Sequence, residues 1–290
     1  MVDRTRRVVI GVFVAMLATG LCIGLALGVL VAKRRGDPHG AQPLATMPAP
    51  RLPVSPASSA FAEAMEAQRN ADPASMHAAL ERAVRLDAGF APAHLHLGLS
   101  QLTAGVAGAR PHLVAASRHA ARLSDRDGKL LRAVLPCVES PTGDLGPCLG
   151  TLRTLLSGDF ATDPFLHALT GWLLLRAGEP GEGLTVAIRG LDLDPRFAFG
   201  WLARGALEAF LGRYDDALAS FEACAKQSPG ATACLRAKTY LHAHMGEPGA
   251  CERAARLLSD RSPQDPVAAL LLADALAANR RPAADVRAAA

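Results

Sequence analysis

Beyond residue 57, apolar residues recur mostly at three- and four-residue spacing, which predicts a succession of amphipathic helices. The clearest stripe is Tyr214, Ala217, Leu218, Phe221 and Cys224. Gln227-Ser228-Pro229 stops it, because proline disfavours helical geometry in the residue before it. A preceding helix carries Trp201 and Gly205, four residues apart and so on one face. Gly212 ends that helix, since glycine takes a left-handed backbone at no steric cost. Leu80, Ala83, Val84 and Leu86 mark the end of an earlier helix, and helices are predicted over His112–Leu123, Lys129–Cys137 and Leu149–Leu156.

Val8–Ala32 breaks this periodicity, being uncharged and almost wholly apolar. As a helix it would reach roughly 37 Å at about 1.5 Å per residue, against a hydrocarbon core of about 30 Å. The rival is a cleaved signal peptide, but the run is long for one, and Lys33-Arg34-Arg35 follows where small residues would be needed. The expected organisation is a basic tail (1–7), a transmembrane helix (8–32), a proline-rich linker (33–56) and a helical array (57–290). Gly20, Gly24 and Gly28 form a small-residue ridge that would let two such helices pack as a homodimer. Basic residues flank the span on both sides, so they leave its orientation nearly tied. The expected location is the inner or plasma membrane, single-pass, with the array periplasmic or extracytoplasmic.

A longer period overlies the helices. Gly178, Gly212 and Gly246 recur every 34 residues, and Pro195, Pro229 and Pro263 share that interval. Trp201, Gly205, Gly212, Tyr214, Ala217, Phe221 and Pro229 resemble the tetratricopeptide repeat (TPR) pattern, and Gly171, Gly178, Pro195, Gly246 and Pro263 continue it on either side. Arg204 and Glu208 depart from it, standing where an aliphatic and an aromatic residue are usual. The resemblance implies an all-α, right-handed superhelix (an α-solenoid) of about six helical hairpins plus a partial one. Each hairpin would bury its apolar faces only against its neighbours.

The same resemblance implies that first helices of successive hairpins line a concave groove for a protein or peptide. By register, Trp172, Arg176, Phe199, Phe210, Arg236, Tyr240 and His244 are the candidate groove residues, with packing between repeats the alternative for the two phenylalanines. The paired lysines and asparagines of chaperone-binding TPR domains are missing. Leu191–Pro195, Gly212–Ala217 and Cys224–Pro229 also loosely resemble the TPR tail of bacterial transmembrane Ser/Thr protein kinases. A stand-alone sensory portion of such a system is therefore the second reading, and an envelope assembly factor a third.

Five of six cysteines lie outside the apolar run. Cys137 could meet Cys148, and Cys224 could meet Cys234 across a turn, leaving Cys251 over; sequence does not fix connectivity. The net charge of +4 is modest and scattered, and aromatics are few, which disfavours nucleic-acid binding. His94 and His96, like His242 and His244, are two residues apart and would point away from each other on a helix, a poor arrangement for one metal ion. No catalytic motif or cofactor-binding loop is recognisable. The expected function is a membrane-anchored, non-catalytic adaptor.

Overall fold

The computed structural model describes residues 55–104, 106–140 and 143–289. Among them are fourteen α-helices: α1 (Pro56–Arg69), α2 (Pro73–Leu86), α3 (Ala91–Ala104), α4 (Val106–Arg118), α5 (Asp125–Glu139), α6 (Gly146–Ser157) and α7 (Pro164–Ala177). The second half continues with α8 (Pro180–Leu193), α9 (Ala198–Phe210), α10 (Tyr214–Gln227), α11 (Thr232–His244), α12 (Pro248–Arg261), α13 (Pro266–Ala278) and α14 (Ala283–Ala289). Consecutive helices pair into hairpins, the last completed only by the short α14. The result is a TPR-like α-solenoid.

The localisation expected from the sequence is corrected here. Among the described residues no helix is long and apolar enough to cross a membrane. The longest, α5, has 15 residues, about 22 Å against a core of about 30 Å. The predicted span 8–32, its Gly20, Gly24 and Gly28 ridge, and all but the last two residues of the linker lie outside the described residues. Pro56, assigned above to that linker, opens α1, where its missing N–H costs nothing.

Local chemistry explains the helix boundaries. Asp72, Asp163 and Asp265 each precede a proline and accept a backbone N–H of the helix they start. Gly178, Gly212 and Gly246 all have positive φ, between 72° and 85°, just past a helix end. Pro195, Pro229 and Pro263 each fall two residues beyond α8, α10 and α12. In the middle of the chain α4 starts well before His112 and ends at Arg118, followed by a 3₁₀ turn at Ala120–Arg122. Pro111 lies inside α4.

Close packing within hairpins depends on small residues. A Cβ on Gly205 would lie 2.5 Å from Phe221 Cε1, so α9 and α10 approach only because that atom is missing. Ala217 and Phe221 are fully buried there, while Trp201 is partly buried and donates its indole N–H to the Pro195 carbonyl at 2.8 Å. Across α9 and α10, Glu208 accepts from Arg204 Nε at 2.7 Å and from Ser220 Oγ at 2.5 Å. That network accommodates the two residues that depart from the repeat pattern. Cys137–Cys148 joins α5 to α6, and Cys224–Cys234 joins α10 to α11, with Cα separations of 5.3 and 6.1 Å. Cys251 is a buried free thiol.

The array does not remain open at its N-terminal end. α1 contacts α9, four hairpins further along the chain. In the α1–α2 turn, Ala71 takes φ 53°, a left-handed conformation unusual for a residue with a Cβ. Its buried methyl joins the apolar cluster of Ala198, Leu202, Ala231, Ala233 and Cys234. The first hairpin thus leans across the inner face of the solenoid.

Candidate functional site

The inner helices α3, α7, α9 and α11 contact one another along one side of the solenoid. Between them and the α1–α2 turn lies a half-open cleft with a cavity of about 90 Å³. Leu99, Phe165, Leu169, Trp172, Phe199 and Leu202 supply its apolar wall. Met76 and Ala71 close it from the first hairpin, and Arg176 and Arg236 bring positive charge.

Trp172 and Arg176 are one helical turn apart on α7, so both reach the same side. Arg176 Nη1 donates to the Leu102 carbonyl of α3, tying two inner helices together. Burial pushes the Arg176 pKa down. Arg236, on α11, pairs with Asp265 at 2.5 Å, and Asp265 in turn caps α13. Part of the cleft wall is therefore fixed by the start of the last hairpin.

An aromatic row runs beside the cleft from α1 across three of the inner helices. Phe61 of α1 packs on His96 of α3, with ring centroids 5.3 Å apart, and His96 on Phe165 of α7 at 5.7 Å. Phe165 then meets Phe199 of α9 at 6.2 Å. Burial holds the His96 pKa down to about 4, so the ring is neutral at pH 7. His94 points elsewhere: its Nδ1 lies 3.3 Å from His112 Nδ1, and its Nε2 3.1 Å from the Ala88 carbonyl. The two histidines thus occupy different surroundings, as do His242, paired with Glu247 at 2.7 Å, and His244.

Of the seven residues placed in the groove by register, Trp172, Arg176, Phe199 and Arg236 share the cleft. The other three do not line it. Phe210 packs beside Leu211 and Ile188 against a cluster that includes Leu184 and Leu207. His244 is exposed at the end of α11, with its Nε2 3.2 Å from the Tyr214 hydroxyl. Tyr240 is half-buried on α11, and burial pushes its hydroxyl pKa up. Register missed Ala71, Asp72 and Met76, which come from the first hairpin, and Leu99 and Leu169, which come from α3 and α7.

Comparison with known proteins bears on the fold. No family model matches this chain, and no curated protein matches it. Among solved structures, yeast Tom70 is similar over 77% of this chain and 47% of its own, with 13% identity and a TM-score of 0.50; this chain spans about half its length. PilW, described as a widely conserved type IV pilus biogenesis factor, is 16% identical over 80% of this chain and 90% of its own, with a TM-score of 0.46. A thermophilic TPR protein of Thermus thermophilus is 17% identical over 76% of this chain and 99% of its own, with a TM-score of 0.45. None of these likenesses supports the resemblance to kinase-associated tails. The repeat register, the left-handed glycines and the stacked hairpins together identify the described chain as a TPR solenoid in fold.

Proposed function

We propose that this chain is a non-enzymatic scaffold that holds a polypeptide partner along its inner face, with an apolar side chain of the partner seated in the cleft. The observation that carries this reading is the cleft wall. Trp172 and Phe199 present aromatic surface beside Arg176 and Arg236 on neighbouring inner helices. Tryptophan, aromatic and arginine side chains dominate binding energy where water is excluded. A cavity of about 90 Å³ accommodates a side chain and no backbone, so the rest of the partner would lie across the cleft mouth.

Site-specific photocrosslinking tests this reading. A crosslinker at Phe199 should capture a polypeptide that is not captured from Leu86, which is 53% exposed and far from the cleft lining. Equal capture from both positions, or none from Phe199, would refute it.

A further inference from the structure

Ser100 of α3 meets His77 of α2 in the cleft wall, a polar contact that the partner reading does not use. A serine or threonine inside a helix often turns its hydroxyl back onto a carbonyl of its own helix. Thr103 does so onto the Ser100 carbonyl at 2.7 Å, and Thr239 onto the Leu235 carbonyl at 2.9 Å. The Ser100 hydroxyl instead lies 3.2 Å from His77 Nε2 on the neighbouring helix.

The far side of the imidazole fixes which nitrogen carries the proton. His77 Nδ1 lies 3.0 Å from the Pro73 carbonyl, which can only accept, so Nδ1 is the donor. In the neutral ring Nε2 then holds the lone pair, and the Ser100 hydroxyl donates to it. A hydroxyl, a base within hydrogen-bond reach and a third group that orients the base are the parts of an activated nucleophile. Here a backbone carbonyl takes the orienting place. The ring is only 6% exposed, which limits competition from water for Nε2, whereas Ser100 lines the cleft.

The rest of the lining suits an acyl group. Gln68 of α1 contributes an amide, a donor type that stabilises the oxyanion of acyl transfer. Met76, Leu99 and Leu169 supply apolar wall, and about 90 Å³ holds a short acyl chain.

We infer that Ser100 is a site of O-acylation, taking a short acyl group from an activated ester with His77 as its base. Ser100 Oγ bonds to the acyl carbon while His77 Nε2 takes the hydroxyl proton. The bond from the acyl carbon to the ester's leaving oxygen breaks, and the proton passes to that oxygen. Nothing is oxidised or reduced. The reaction is stoichiometric, so it goes beyond the partner reading without making the chain an enzyme. Its product is an ester on Ser100 that fills the cleft covalently.

The test treats the full-length protein with p-nitrophenyl acetate and follows intact mass and peptide maps. Ser100 should be acetylated well ahead of the exposed Ser117, and p-nitrophenyl octanoate should react far less because its chain exceeds the cavity. Ser100→Ala should lose that acetylation. His77→Ala should slow it about a hundredfold or more, and added imidazole should restore part of the rate, a rescue that a merely structural histidine would not show. The comparison of Ser100 with Ser117 in the native protein stands even where a variant fails to fold.

Acetylation of Ser100 no faster than of Ser117 would overturn the proposal, as would a rate indifferent to His77 in a folded variant. Release of nitrophenol well beyond one equivalent, lost in Ser100→Ala, would keep Ser100 as the nucleophile and overturn the non-enzymatic reading. Selective crosslinking from Phe199 with no acetylation of Ser100 would overturn this inference alone.

Discussion

Arg204 donates to Glu208 at 2.7 Å from one turn earlier on α9, and this bond neutralises a carboxylate that is only 2% exposed. Ser220 satisfies its second oxygen from α10. The pair replaces the apolar contact that most repeats use at these positions. Arg204→Ala should therefore destabilise the fold by about 3 kcal/mol, because it strands a buried charge. Replacing both residues together, by Leu at each position, should recover most of that loss. Urea midpoints of the native protein and the two variants check the sign and the recovery.

His96 makes stability depend on acid. Its ring is buried against Phe61 and Phe165 and stays neutral down to about pH 4, with Asp127, Asp163 and Arg126 the charged groups that act on it. In the unfolded chain the same ring takes a proton below about pH 6.5. Between those values the unfolded state binds more protons, so stability falls as pH drops from about 6.5 to about 4, by about 3 kcal/mol in all. Above that window this residue contributes no slope. His96→Gln should flatten that part of the profile, read from Tm against pH in the two proteins.

Gly205 faces Phe221 with no room for a methyl group. Gly205→Ala should cost about 1–3 kcal/mol through overpacking. Adding Phe221→Leu should cost less in that background than in the native one, a coupling that a double-mutant cycle of denaturation midpoints would expose.

The cysteines should separate cleanly by reactivity. Non-reducing peptide mapping should recover Cys137 with Cys148 and Cys224 with Cys234. Cys251 should carry the free thiol and alkylate slowly in the native state, since burial raises its pKa. Reduction should lower Tm, as loops of about ten residues typically gain about 2–4 kcal/mol from closure.

Much of the scaffold is written in local sequence because its determinants are local. Gly178, Gly212 and Gly246 adopt positive φ in place, and Pro195, Pro229 and Pro263 mark ends within two residues. Three helix starts are also local, because the Asp-Pro pairs at 72–73, 163–164 and 265–266 combine a side-chain cap with a proline at the first turn. The helix expected over His112–Leu123 instead begins at Val106 and carries Pro111 within it. In the cleft, Trp172, Arg176, Phe199 and Arg236 follow from helix register. Phe210 and His244 share that register but sit at helix ends, where packing on Leu211 and contact with Tyr214 decide their direction. The part played by Ala71 and Met76 depends on how far the stack curves, which emerges from every interhelical contact together and leaves no mark at those two positions.

That lean of the first hairpin across the stack changes how the molecule should come apart. A linear repeat protein can fray one unit at a time, because a terminal unit touches a single neighbour. Here the first unit is held by α3 and also by α9, so releasing it opens two interfaces at once and bares Ala198 and Leu202 far along the chain. The two ends of that segment are thereby joined into one cooperative body.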